Sequence, residues 1–157
     1  MENIQAKMKE LFGNSCLAYC YAYLAFKQRN NVSIPDIKYL TRKVLEGWYS
    51  GYLEDDGYVS KPVPYFNHTC EGNQIRDIQK ADLLKLSDLP EGLWIVEFKL
   101  QRTDKESHFA IAERKGIVFD PSGRSNTCTY GVPVSYRKLV PCSSATGDWV
   151  VRNKEPL

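Results

Sequence analysis

The chain of 157 residues has no long apolar run, only two histidines, and 21 Lys and Arg against 19 Asp and Glu. No stretch approaches the ~20 apolar residues that a membrane-spanning helix needs. The opening MENIQAKMKELFGNS lacks the apolar segment of a secretory signal. The expectation is therefore a cytoplasmic protein with no membrane partner. A formal charge of +2, with its basic residues scattered, leaves no electrostatic footprint for nucleic acid. The five cysteines, Cys16, Cys20, Cys70, Cys128 and Cys142, include no C-x-x-C pair. An odd count without a secretory signal argues against a disulfide framework. With only His68 and His108 beside them, a closed zinc site is not expected, nor is any cofactor. Catalysis or core packing are the uses left for these thiols.

What is present is a globular composition, 43% hydrophobic and 12% aromatic, in a length that suits one domain spanning 1–157. The pattern predicts a helical half over about 1–86 and a sheet half over about 87–157, an α+β arrangement. A short helix is expected over 2–12. After Gly13-Asn14-Ser15 a second helix starts at Cys16, and every residue from Cys16 to Phe26 is apolar or aromatic. A helix apolar all round is buried on all sides, so Tyr19, Tyr21 and Tyr23 are read as core. Ser33, Pro35 and Asp36 open another helix, with Ile37, Leu40, Val44, Leu45 and Trp48 as its buried face. Residues 50–73 read as a long connection, with Asp55 and Asp56 as solvated loop residues, and residues 73–86 as a weakly patterned helix. Strands are expected at 93–100, 108–112, 116–119, 132–140 and 149–152, the second and third forming a hairpin. Trp48, Trp94 and Trp149 are expected to anchor the core.

Three residues carry candidate chemistry. Cys16 lies at a helix start, where free N–H groups and the helix dipole favour the reactive thiolate. Read alone, a free cysteine is most often a small buried hydrophobe, and that is the reading for Cys20. His108 starts a strand beside the polar stretch 101–107 and can take a proton near neutral pH. Asp120 ends the next strand in Asp-Pro-Ser-Gly, which is also good turn chemistry. In a hairpin turning near Arg114, His108 and Asp120 fall nearly opposite, although one register step would put Asp120 on the wrong face. His68-Thr69-Cys70 is either half of a metal site without its other ligands or part of a cleft loop.

Together these residues resemble the papain-like cysteine peptidase superfamily, in particular compact bacterial members such as the bacteriocin-leader peptidases. The resemblance rests on Asn14-Ser15-Cys16-Leu17, Ser107-His108-Phe109-Ala110-Ile111 and Val118-Phe119-Asp120-Pro121-Ser122-Gly123, over roughly residues 10–124. It implies a buried N-terminal helix on a mostly antiparallel sheet. It also implies a Cys16 nucleophile, a His108 base and an Asp120 orienter acting on a peptide or other amide substrate through a thioester. The family places an oxyanion glutamine six residues before the nucleophile, where this chain has Glu10. Gln5 or Asn14, with the Cys16 N–H, are the substitute candidates. The His108 to Asp120 spacing is also shorter than the family's usual one. The alternative is a catalytically inactive binding module on the same fold. A redox pair of Cys16 and Cys20 is disfavoured, because i, i+4 positions in one helix are poorly set for a disulfide.

Overall fold

The computed structural model describes residues 14–29, 34–70 and 74–142. The expected helix over 2–12, the strand at 149–152, Gln5, Glu10, Ser33 and Trp149 lie outside the described residues. Four helices, α1 (Cys16–Arg29), α2 (Ile37–Tyr49), α3 (Pro62–Thr69) and α4 (Asn126–Tyr130), accompany five strands. The strands are β1 (Ile75–Asp82), β2 (Trp94–Lys99), β3 (His108–Glu113), β4 (Gly116–Phe119) and β5 (Val132–Pro141). They form one sheet in the order β1-β5-β2-β3-β4, and every pairing is antiparallel. The architecture is therefore α+β. Among the described residues, no helix is long and apolar enough to cross a membrane.

Helix α1 is buried from Ala18 to Ala25, as an all-round apolar helix must be. It packs against β2 and β3 below and against α2 and α3 at its sides. Tyr23 stacks on Phe119 at the end of β4, with ring centroids 4.7 Å apart. The Tyr65 hydroxyl of α3 donates to the Ala18 carbonyl at 3.3 Å. This makes one core on the helix side of the sheet, to which β2 and β3 contribute Ile95 and Ile111. The alternate residues Trp94, Val96, Phe98, Ala110 and Ala112 point to a second core on the other face, with Leu83, Leu89, Cys128 and Tyr136. Because β2 is covered on both faces, both faces are apolar except at Glu97 and the terminal Lys99.

Helix α2 is capped by Asp36, whose carboxylate accepts from the Lys38 N–H at 2.9 Å. Its buried face is narrower than expected. Leu40, Val44 and Gly47 are buried, Leu45 and Trp48 only partly, and Ile37 is exposed. Gly47 permits a close approach of α3, since a Cβ there would lie 2.3 Å from the Tyr65 ring.

Two expectations are corrected. Residues 50–73 are not a continuous loop, because Pro62–Thr69 forms α3. Pro62 and Pro64 look like breakers, but both sit in the first turn, where the missing N–H has no intrahelical partner to lose. Residues 75–82 form β1, an edge strand, instead of the helix expected within 73–86. Ile75 and Ile78 stand three apart, which in a regular strand would put them on opposite faces. In the structure a bulge between Ile75 and Asp77 shifts the strand's phase by one residue. Ile75 and Ile78 then both face the helix-side core. The sheet thus begins at Ile75, before the expected boundary near 87, and the short α4 interrupts the strand-rich half.

Candidate active site

Cys16 is the first residue of α1, and the chain just before it is pinned from the 50s loop. The Asn14 N–H donates to the Asp56 carbonyl at 2.9 Å, and Asn14 Nδ2 reaches the Asp56 carboxylate at 3.5 Å. Asp56 also accepts from the Tyr58 N–H at 3.0 Å, and Asp55 accepts from the Trp48 indole N–H at 2.9 Å. Of these aspartates, expected as solvated loop residues, Asp56 anchors the entrance to α1 and Asp55 ties the loop to α2. Ser15 is buried, and its carbonyl accepts the first helical bond, from Tyr19 at 3.0 Å.

His108 opens β3, and its ring stands between two partners. Nε2 lies 2.9 Å from Asp120 Oδ1, and Cys16 lines the same cavity as the ring and interacts with it electrostatically. With Nε2 taken by Asp120, Nδ1 is the nitrogen left for Cys16. The His108 side chain is 15% exposed and that of Asp120 5%.

The meeting of His108 and Asp120 depends on a strand irregularity. Glu113 pairs with Gly116 and Ala112 with Ile117, but Ile111 pairs with Phe119, so Val118 is an extra residue. Without this bulge Phe119 would turn away from α1, and Asp120 would lie across from Phe109. With it, Phe119 faces the α1 core beside Ile111, and Asp120 turns to the face shared by His108 and Ala110. The bulge resolves the register step that the sequence leaves open.

Asp120 is held by four donors. Oδ1 accepts from His108 and from the Ser122 N–H at 2.9 Å. Oδ2 accepts from the Ser125 N–H at 2.9 Å and the Ser125 hydroxyl at 2.8 Å. Burial alone would raise the Asp120 carboxyl, but the Ser125, His108 and Ser122 hydrogen bonds outweigh it and hold the group below the usual aspartate range. Burial likewise pulls the His108 imidazole down. Its contacts with Cys16 and Asp120 reverse that and raise it above the ordinary histidine value.

Ser125, Ser122 and Cys128 were not expected at the site. Ser125 is the N-cap of α4, accepting from the Cys128 N–H at 3.2 Å while donating to Asp120. The signal in the sequence was a cap-type serine shortly after the aspartate, but a five-residue helix leaves no periodicity to reveal it. Removing the hydroxyl in Ser125→Ala deletes both interactions. The expected result is a loss of about 1–2 kcal/mol, read as a lower urea midpoint with an unchanged slope.

Glu97 also supports the site. Its buried carboxylate accepts from Ser135 Oγ at 2.7 Å, with Ser107, Lys80 and Arg137 nearby. Burial would raise this carboxyl, and those bonds and charges bring it below its ordinary value. Glu97 thereby stands beside the residue immediately before His108.

The other cysteines divide clearly. Cys20 is fully buried, and burial, with Cys16, Cys128 and Asp120 nearby, pushes its thiol well up, as expected of a core residue. Burial also pushes the Cys128 thiol up to about 12. His68 and Cys70 do not converge on a shared ligand. His68 lies 4.0 Å from Glu46 and edge-on to Tyr52, whereas the Cys70 thiol donates to Gln28. His68 borders a separate hollow with Trp48 and Tyr49, away from Cys16.

Two cavities meet at Cys16. One, of about 250 Å³, is lined by Ser15, Tyr19, His108, Pro121 and Ser122. The other, of about 460 Å³, is lined by Leu17, Tyr58, Lys105, Glu106 and Phe109. Asn14 and Ser107 border both. The Asn14 amide is exposed and only loosely held at 3.5 Å, so it is free to donate toward a group at Cys16. Comparison of the chain with protein-family models, with curated protein sequences and with solved structures returned no match.

Proposed function

We propose that this chain is a papain-like cysteine hydrolase acting on peptide or related amide bonds. The observation that carries the reading is the 2.9 Å Asp120–His108 hydrogen bond with Cys16 beside the imidazole, placed where two cavities meet. A buried carboxylate, an imidazole with one nitrogen on each side, and a helix-start thiol are the orienter, base and nucleophile of covalent acyl transfer.

In this reading His108 Nδ1 takes the Cys16 proton, and Asp120 stabilises the resulting imidazolium through Nε2–H. The sulfur attacks the substrate carbonyl carbon, and charge develops on the carbonyl oxygen. The Cys16 N–H at the start of α1 and the Asn14 amide are the donors placed to meet it. The imidazolium then gives its proton to the leaving amine as the C–N bond breaks, leaving a thioester. Neutral His108 next draws a proton from water, whose oxygen attacks the thioester. The acid leaves and the thiol is restored.

The test is acylation by p-nitrophenyl acetate. The expected result is a burst of one nitrophenolate per chain, with one acetyl group located on Cys16 by peptide mass spectrometry. Steady release without acetylation of Cys16 would refute the covalent route.

A further inference from the structure

We propose that His108, Asp120 and Cys128 form a binding site for a zinc-class divalent cation on the side of the imidazole away from Cys16. One ligand atom from each residue lies within 4.8 Å of the other two. The three come from separate elements: the start of β3, the residue after β4 and the first turn of α4. Two of the three are deeply buried, with Cys128 6% exposed and the Asp120 side chain 5%.

One nitrogen, one oxygen and one sulfur donor are a set that zinc accepts, at about 2.0–2.3 Å from each. In a tetrahedron, bonds of that length separate the donors by about 3.3–3.6 Å. His108 Nε2 and Asp120 Oδ1 stand 2.9 Å apart and must open by only a few tenths of an ångström. The Cys128 sulfur must close by at most about 1.3 Å. The bonds from Ser122 and Ser125 to Asp120 already fix the carboxylate, as outer partners of metal ligands do.

Binding forms one bond each from the metal to Nε2, Oδ1 and Sγ, and nothing is oxidised or reduced. The Cys128 thiol proton passes to solvent. The Nε2 proton moves to Nδ1, or to solvent where the ring starts doubly protonated. Nδ1 is then left carrying a proton and cannot accept one from Cys16. The metal thus acts as a reversible brake, a consequence that rests on the hydrolase reading, whereas the binding site itself does not.

Cobalt(II) is the probe, titrated into the full chain and followed by its thiolate charge-transfer and tetrahedral d–d absorbance. Wild type and Cys16→Ser are expected to give the same bands, and excess zinc should abolish them. Cys128→Ser should lose the charge-transfer band and bind cobalt at least about tenfold more weakly. Survival of the band in Cys128→Ser, or its loss in Cys16→Ser, would overturn the proposal. So would its absence from wild type. The Cys16→Ser arm decides the matter even if Cys128→Ser fails to fold, and no arm depends on turnover.

Discussion

Cys16→Ser will form no acyl-enzyme and will lower steady-state ester turnover by about 10³-fold or more, the scale of removing a triad nucleophile. The expectation follows from the position of Cys16 in the fold. Cys16 interacts with the His108 imidazole and borders both cavities, whereas Cys20 and Cys128 are buried and held as thiols. Serine keeps a donor toward His108 but offers a hydroxyl far harder to ionise than a thiol. The ester assay with mass spectrometry reads the result directly. Retention of more than about a tenth of wild-type turnover would show that another group performs the chemistry.

Asp120→Asn is expected to lower turnover by about 10³–10⁴-fold, although it changes almost no volume. All four bonds at the Asp120 carboxylate are accepted from donors. An amide has only one oxygen. If its NH₂ faces Ser125, it opposes a backbone N–H. If it faces His108, it opposes the Ser122 N–H and removes the acceptor for Nε2–H. Either way the imidazole loses its fixed tautomer or Asp120 loses its place. The pH profile should shift as well. Asp120 helps raise the His108 value, so its neutralisation moves the limb of activity set by His108 to lower pH.

Stability shares this linkage. His108 is raised in the folded state, so its contribution is full below the ordinary histidine value and is lost as pH rises through the raised one. Asp120 is lowered, so its contribution is present above the ordinary aspartate value and is lost as pH falls through the lowered one. The pair therefore stabilises most between about pH 4 and 6.5. Asp120→Asn should flatten the acid side of a urea-midpoint profile. An unchanged His108 limb of activity together with an unchanged acid side of the stability profile would show that Asp120 does not govern His108.

Much of this site could be read in the sequence because its principal residues sit at element boundaries with strong local signals. The uninterrupted apolar run after Ser15 announced α1, and the hairpin of β3 and β4 followed from two β-rich segments around Glu113-Arg114-Lys115. What stayed hidden lay in phase shifts and short elements. The bulge at Val118 decides which face Asp120 takes, and no residue there signals it. The bulge near Arg76 made a strand look helical, because it brings Ile75 and Ile78 to one face. Helix α3 was masked by its own prolines. Glu97 and Ser125 act only through partners brought close by sheet pairing and by α4, at separations that local spacing does not record.

The most direct test of the central claim is the rate of iodoacetamide alkylation at Cys16 across pH, read by mass spectrometry for wild type and His108→Ala. An activated pair predicts alkylation at mildly acidic pH at least about tenfold faster in wild type, with the advantage lost in the variant. Equal, slow rates in both proteins, rising together only at alkaline pH, would contradict it.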